Sequence, residues 1–212
     1  MEVTWLGHSC FRIKGKEVTL VTDPYDESMG YSRPKLTANI VTISHDHPGH
    51  NCASAVEDSP KVINRPGEYE VRDVFIMGLS NFHDSEQGMS RGRNTTYLIE
   101  MEEVRLCHLG DLGHLPSSRQ VEELSGTEVL FVPVGGISTT DAKMAAEIVR
   151  LLSPRIVVPM HYQTEVATWL EPLDRFIKEM GLKEAVPQPK VSVTKSSLPM
   201  ETQVVVLEYR LQ

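Results

Sequence analysis

The chain has 212 residues, of which 40% are hydrophobic and 24% are charged, a balance typical of a folded globular protein. A formal net charge of −8 and an aromatic content of 6% disfavour binding to nucleic acid through its phosphate backbone or by base stacking. No apolar run approaches the roughly 18 residues of a membrane span, and residues 1–13 lack the pattern of a signal peptide. Three widely spaced cysteines favour a reducing cytoplasm. Because no segment is long enough to be a linker between domains, we expect one domain over residues 1–212.

The first half of the chain is predicted to consist mainly of strands. Residues 3–13 and 17–22 flank the turn signal Lys14-Gly15-Lys16, and the second of these strands ends at Asp23-Pro24. A short β-branched run at 39–44 predicts a buried strand that leads into a group of histidines. A short helix is expected next, followed by three strands, at 51–57, 61–64, 69–72 and 74–79.

The second half is predicted to repeat this plan. A hairpin at 94–100 and 104–108 leads to Asp111, as the first hairpin leads to Asp23. The following helices and strands are expected at 117–124, 129–134, 140–152, 155–159, 173–180, 191–194 and 203–209. This weak internal duplication, with strands alternating with helices, favours a layered α/β fold.

The strongest functional signal is the segment Ser44-His45-Asp46-His47-Pro48-Gly49-His50. In extended backbone, His45 and His47 point to the same side, and His50 comes from the next turn. Clustered neutral imidazoles are typical ligands of zinc and similar ions, whereas a solvated polar loop is the alternative. Further candidates follow other predicted strands, where α/β proteins place their ligands: Asp23, His83, Asp111 and His161, with His8, His108 and His114 behind them.

Several motifs together resemble the metallo-β-lactamase superfamily. They are H-x-H-x-x-H after a strand, TDP upstream, FHD at 82–84, CHLGDLGH at 107–114 and PMHY at 159–162. The opening WLGHSCF resembles the branch that contains ascorbate-6-phosphate lactonase-like proteins and small metal-dependent hydrolases. The resemblance implies an α/β fold, an αββα four-layer sandwich of two mixed β-sheets with helices outside and a metal site at one edge between the sheets.

The resemblance also implies a set of metal ligands. The first ion would be held by His45, His47 and His83. The second ion would be held by His50 and His161. Asp111 would bridge both ions and take part in catalysis.

Two further residues are expected to support the site. Asp23 matches an aspartate that orients a ligand histidine through its outer nitrogen, although aspartate before Pro24 is also a common turn residue. His8 is expected to face the site from the first hairpin and to contact substrate or water, or else to be a hydrogen-bonded core histidine.

One position departs from the family pattern H-x-H-x-D-H. Gly49 stands where that pattern has an aspartate, which normally binds the second ion. We therefore expect a weaker second site, and Gly49→Asp is expected to raise its occupancy. Alternation turns Asp46 away from the ligand face, and Asp84 is the other stand-in.

These residues imply a hydrolase that uses metal-activated water on a small ester, lactone or phosphoester, with one or two divalent ions, zinc or manganese. Arg91 and Arg93 in the polar segment 83–94 would bind an anionic substrate, or would be solvated loop residues. Gly49 motivates the alternative of a metal-binding or ligand-sensing protein that has lost efficient turnover. A nuclease is a third hypothesis, which the acidic balance disfavours. Homo-oligomerisation stays open.

Overall fold

The structure, a computed structural model, describes residues 1–31 and 35–209. Its strands are β1 (Glu2–Gly7), β2 (Cys10–Lys14), β3 (Thr19–Thr22), β4 (Leu36–Thr37), β5 (Ile40–Thr42), β6 (Val56–Glu57), β7 (Lys61–Ile63), β8 (Gly67–Val71), β9 (Val74–Phe82), β10 (Arg93–Met101), β11 (Val104–His108), β12 (Val129–Pro133), β13 (Ile156–Met160), β14 (Val191–Ser192) and β15 (Gln203–Val204). Its α-helices are α1 (Ser118–Glu123), α2 (Ala142–Leu152) and α3 (Leu173–Glu179).

Two large mixed sheets contain most of the strands. The first sheet has the order β14-β1-β2-β3-β5-β7, and the second has the order β15-β13-β12-β11-β10-β9-β8. In each sheet an antiparallel meander, β1-β2-β3 or β9-β10-β11, is followed by two parallel strands, β5-β7 or β12-β13. The predicted internal duplication therefore corresponds to a repeated strand plan.

The inner faces of the two sheets pack against each other. The rings of Phe11 and Phe131, one from each sheet, have centroids 4.5 Å apart. The buried Tyr97 hydroxyl of the second sheet donates hydrogen bonds to the carbonyls of Ile43 (2.8 Å) and Ile63 (3.1 Å) beside the first. Packing and hydrogen bonds together fix how the edges of the two sheets meet, and the predicted sandwich of two mixed sheets is confirmed.

The outer layers of the two sheets differ. On the second sheet, α2 begins at the capping residue Asp141 and buries an apolar face that includes Ala145, Ile148 and Val149. On the first sheet, the short ribbon of β4 and β6 supplies Leu36 and Val56 to a separate apolar cluster. Within the described part of the chain, no helix is long and apolar enough to cross a membrane.

Two local predictions in the first half of the chain were wrong, and in the second half the strand expected at 203–209 is only Gln203–Val204. The expected strand at 3–13 is a hairpin, because Gly7 (φ 105°) and His8 (φ 52°) both adopt left-handed backbone conformations and reverse the chain. The expected helix at 51–57 is a single 3-10 turn at Ala53–Ala55 that leads into β6. The first correction matters for the site, because the turn places His8 at an edge of the sheet.

The candidate histidines and aspartates of both repeats lie at one edge of the two sheets. Asp23 follows β3 and Asp111 comes three residues after β11, while the histidine segment follows β5 and His161 follows β13. The turns after β1 and β9 lie at this edge too, and they carry His8 and His83. The fold therefore gathers residues from distant parts of the chain.

Candidate metal centre

Four histidines converge on one carboxylate oxygen. The Oδ2 atom of Asp111 lies 3.2–3.3 Å from the Nε2 atoms of His50, His83 and His161. The Nε2 atom of His45 lies 3.8 Å from the same oxygen. All five side chains are buried, so bulk water does not solvate this concentration of nitrogen and oxygen donors.

Three groups of donor atoms lie close enough together to hold an ion, each with its ligand atoms within 4.8 Å of one another. They are His45-His47-His83, His45-His50-Asp111 and His8-His50-His161. The structure thus brings together the three residues expected at the first ion, and it places His50 and His161 next to each other with Asp111 between the groups. His47 is exposed, which leaves one side of the centre open to solvent.

Asp23 and Ser44 orient two of these histidines. The Asp23 carboxylate accepts hydrogen bonds from His50 Nδ1 (2.9 Å), from Ser44 Oγ (2.6 Å) and from the Ser44 amide (2.7 Å). Because the Ser44 hydroxyl proton is given to Asp23, the Ser44 oxygen accepts from His45 Nδ1 at 2.9 Å. Both imidazoles consequently turn their Nε2 atoms toward the centre, the arrangement that outer hydrogen bonds impose on metal-binding histidines.

The donor set fits a metal ion. Several buried imidazole nitrogens have no hydrogen-bond partner among the described residues: His8 Nδ1, His45 Nε2, His83 Nδ1 and His161 Nδ1. A buried polar atom without a partner costs about 1–3 kcal/mol, and His45 Nε2, which faces Asp111, is the one of these that an ion at the centre would satisfy. Imidazole and carboxylate donors together are the ligands that zinc and similar divalent ions take.

The electrostatics of the cluster also favour a cation. Burial lowers the pKa of His45 to about 3 and lowers the pKa of His83, which keeps both imidazoles neutral with a free lone pair. Burial acts in the same direction on His50, but the Asp111 and Asp23 carboxylates outweigh it and raise the pKa of His50 to about 10. Burial opposes ionisation of Asp111, yet the surrounding histidines hold the pKa of its carboxyl well below the usual value.

The position of Asp111 depends on two buried asparagine side chains that sequence analysis did not identify. The Asp111 amide donates to Asn94 Oδ1 at 2.9 Å, while Asn94 Nδ2 donates to Asn81 Oδ1 (2.6 Å) and to the Leu109 carbonyl (2.9 Å). Gly110 (φ 58°) permits the close approach, since a Cβ there would lie 2.4 Å from Asn94 Oδ1. Nothing in the sequence pattern marks these asparagines, because single polar residues on strands are common.

Two of the weaker histidine candidates have other partners. The His108 ring donates from Nε2 to the Ser9 carbonyl (2.9 Å) and accepts from the Gly110 amide (3.2 Å), so it joins the two halves of the site from behind. His114 Nε2 accepts from the Phe82 amide at 3.3 Å. Each imidazole uses its nitrogens on backbone groups and belongs to none of the three donor groups.

The two aspartates considered as stand-ins at position 49 lie elsewhere. The exposed Asp46 accepts a hydrogen bond from Asn51 at 2.5 Å. Asp84 accepts from four backbone amides of the following loop, at residues 86, 88, 90 and 91, over 2.7–3.1 Å. Neither carboxylate belongs to the three donor groups.

Arg91 and Arg93 lie on exposed positions at the end of the loop that follows His83. The loop is well fixed at its base, because the Arg91 amide donates to Asp84 at 2.7 Å and the His83 amide donates to the Gly92 carbonyl at 3.1 Å. Their assignment to substrate binding stays a prediction.

Three residues at the centre have strained backbone conformations. His8 (φ 52°), Asp23 (φ 39°) and His161 (φ 51°) all adopt left-handed conformations, which are uncommon for residues other than glycine. Such conformations persist where the surrounding structure imposes them, and they cluster at functional sites.

Comparisons with known proteins agree with this geometry. A family model described as "Beta-lactamase superfamily domain" matches residues 2–161. A UPF0173 metal-dependent hydrolase of Thermococcus onnurineus is 31% identical over 88% of this chain and 95% of its own length. A UPF0173 protein of Pyrococcus abyssi is 32% identical over 77% of this chain and 84% of its own. A crystal structure from Thermotoga maritima, described as a zinc-dependent hydrolase of the metallo-β-lactamase superfamily, is 38% identical, with 97% of both chains covered and a TM-score of 0.82.

Proposed function

Because the chain belongs to the metallo-β-lactamase superfamily, we propose that it is a metal-dependent hydrolase whose active centre is the histidine cluster around Asp111. The convergence of four imidazoles on Asp111 Oδ2, within 3.2–3.8 Å, carries this proposal. Relatives described as metal-dependent hydrolases support it.

The ligands proposed for the first ion are His45, His47 and His83. Those proposed for the second are His50 and His161, and Asp111 is shared by both. A bound divalent ion lowers the pKa of its water from 15.7 to about 7 and polarises the oxygen under attack.

The chain's own residues prepare the site for this chemistry. Asp23 accepts the Nδ1 proton of His50, and Ser44 accepts that of His45, so each ring turns its Nε2 atom toward the centre. Burial of Asp111 keeps water from competing for its carboxylate. Substrate approaches from the exposed side, where His47 and the loop after His83 face solvent.

The proposed substrate is a small ester, lactone or phosphoester, with an anionic group that Arg91 or Arg93 would bind bidentately. Zinc or manganese is the proposed ion, and the cytoplasm is the proposed compartment. The acidic net charge of −8 argues against nucleic acid as substrate.

A second candidate function is a metal-binding or ligand-sensing protein without efficient turnover. Gly49 favours it, since this residue supplies no ligand where the family pattern supplies a carboxylate. The two functions share the metal centre and differ in whether substrate is consumed.

Turnover assays separate them. Protein stripped of metal and reloaded with zinc or with manganese is tested on neutral esters, lactones, phosphomonoesters and phosphodiesters. Metal-dependent turnover that is lost in His45→Ala/His47→Ala supports the hydrolase. Tight metal binding without turnover of any class would overturn it in favour of the sensing protein, and binding of RNA would revive the nuclease.

A further inference from the structure

We propose that His8 is a direct ligand of the second metal ion and supplies the donor that Gly49 lacks. This inference rests on the metal centre of the proposed function and assigns to His8 a role other than the expected contact with substrate or water. It turns the second site from an incomplete one into a site built from three imidazoles and the shared carboxylate.

The His8 ring lies among the other ligands of that ion. Its centroid is 4.3 Å from that of His161 and 4.8 Å from that of His50, and the donor atoms of these three residues lie within 4.8 Å of one another. The side chain is buried, and its Nδ1 atom has no hydrogen-bond partner among the described residues. An imidazole that only filled the core would satisfy its nitrogens, as His108 does.

The backbone around His8 is held in a strained, left-handed conformation. The His8 carbonyl accepts hydrogen bonds from the Trp5 indole (3.0 Å) and from the His161 amide (3.1 Å), which ties this turn to the other half of the site. The preceding Gly7 packs so closely on Tyr31 that a Cβ would lie 2.6 Å from the ring. The strained turn and the two hydrogen bonds to its carbonyl hold the His8 ring toward the cluster. Ligand positions are preorganised in this way.

The space beside Gly49 is taken by His8. A Cβ added at Gly49 would lie 3.0 Å from Nε2 and 3.1 Å from Cδ2 of the His8 ring. The backbone of Gly49 does not have a positive φ, so its conformation does not by itself exclude a side chain. An aspartate at this position would require the imidazole to shift by a few tenths of an ångström, so the two donors compete for the same space.

The repeated strand plan places His8 in a ligand position. His8 follows β1 and precedes β2, just as His83 follows β9 in the turn toward β10. His83 belongs to the donor group of the first ion, and His8 belongs to that of the second. Each repeat thus contributes one histidine from the turn after the first strand of its meander.

Replacing a carboxylate with an imidazole has a measurable consequence for metal choice. Imidazole donors suit zinc, whereas manganese and magnesium prefer oxygen ligands. We expect the second site of the native protein to discriminate strongly in favour of zinc over manganese.

The test is a double-mutant cycle read by zinc binding without substrate. The variants are His8→Asn, Gly49→Asp and His8→Asn/Gly49→Asp. Asparagine is chosen because it tolerates the left-handed backbone of His8 better than alanine does. Zinc titrations of the stripped protein by calorimetry, and elemental analysis after dialysis, give the number and affinity of bound ions.

Two controls isolate the role of the imidazole and of the new charge. His114→Asn is the same substitution at a histidine outside the cluster, and it is expected to leave two bound zinc ions. His8→Asn/Gly49→Asn adds a side chain of the same size as aspartate without its charge, and it is expected to restore little. Thermal unfolding of each metal-free variant checks that the fold is retained.

The native protein is expected to bind two zinc ions. His8→Asn should retain the first and weaken the second by at least about 10-fold, the lower range for loss of even an outer hydrogen-bond partner. His8→Asn/Gly49→Asp should restore the second site and shift its preference toward manganese. Gly49→Asp alone should not strengthen it, which differs from the expectation drawn from the family pattern, because His8 already occupies the space.

Two results would overturn the proposal. One is that His8→Asn binds two zinc ions with native affinities. The other is that Gly49→Asp strengthens the second site as much with His8 present as without it. Neither result depends on turnover, so the role of His8 can be decided even if the protein hydrolyses none of the substrates. Conversely, if the protein is active but its second site is unaffected by His8→Asn, the proposed hydrolase function stands and only the role of His8 is wrong.

Discussion

The two halves of the molecule share a strand plan but contribute differently to the centre. Asp23 follows the meander of the first half and Asp111 that of the second, yet Asp23 lies behind the proposed ligands and Asp111 lies among them. Asp23 is surrounded by donors that it must satisfy, namely Ser44 and the outer nitrogen of His50. The comparison teaches that one position in a repeated fold becomes a ligand or its support according to the hydrogen-bond partners around it.

The halves also differ after the next strand. In the first half, β5 leads into three histidines of the cluster. In the second half, β12 leads into Gly135, whose lack of a side chain lets the backbone of His161 approach. Three of the proposed ligands in the first half come from one sequence motif, whereas those of the second half come singly from separate loops.

The motif of the first half should be indispensable. We expect His45→Ala/His47→Ala to lose the first ion and to reduce any hydrolysis to background, because two of its three histidine ligands disappear together. Elemental analysis of the purified variant measures the loss, with His114→Ala as the control. Full metal occupancy in the double variant would show that the ligand assignment is wrong.

Substitution of Asp111 should weaken zinc binding more than substitution of Asp23 does. Asp111→Asn is expected to weaken zinc binding by more than about 100-fold because it removes the shared ligand, and Asp23→Asn by about 10–100-fold because it removes only an orienting partner. Asparagine keeps the shape at both positions and suits the left-handed backbone at Asp23. Calorimetric titration with zinc compares them, and equal losses would contradict the division of roles.

Glycine should matter more where a loop touches the backbone of His161 than at a surface turn. A Cβ at Gly135 would lie 2.1 Å from the His161 carbonyl oxygen, so Gly135→Ala is expected to cost about 2–3 kcal/mol of unfolding free energy. At Gly15 the nearest atoms are the flexible ends of Met101 and Glu102, so Gly15→Ala should cost less than about 1 kcal/mol. Denaturant unfolding tests the difference, and similar costs would mean that the His161 loop relaxes easily.

The smallest effect, a change in KM, is expected at the loop between β9 and β10, which is longer than the corresponding turn between β1 and β2. Arg91→Ala/Arg93→Ala should raise KM for an anionic substrate several-fold while leaving a neutral substrate and metal content unchanged, since a guanidinium pairs with anions. Arg119→Ala, at an exposed arginine on α1, is the matched control. Equal effects on charged and neutral substrates would make both arginines solvated loop residues.

Much of the fold was predictable because its strands are short apolar runs that end in polar signals. The strands at 104–108 and 129–134 and the helix at 140–152 were predicted within two residues of their observed ends. The hairpin at His8 was missed, because Leu6 and Phe11 continue the apolar run across a turn whose only local mark is Gly7. The superfamily was predictable from ordered motifs, which are local in sequence.

The parts of the site that escaped prediction are those that depend on contacts over long sequence distances. Asn94 and Asn81 become important only once β9 and β10 pair and the Asp111 loop lies against them. The closeness of His8 to Gly49 arises because two separate turns meet at one edge. Spacing along the chain contains no information about such neighbours.

The split origin of the ligands makes an ion in the centre a reversible cross-link of the whole chain. Ser9 and Asp111 are 102 residues apart in sequence, yet their side chains lie 3.5 Å from each other at this edge. An ion bound there would restrict the chain between the two halves, as a cross-link does. A ligand that binds only the native state at 100 times its Kd adds about 2.7 kcal/mol of stability. Zinc supply would therefore set how often the two sheets separate, and protease resistance of the protein would follow the ion's concentration.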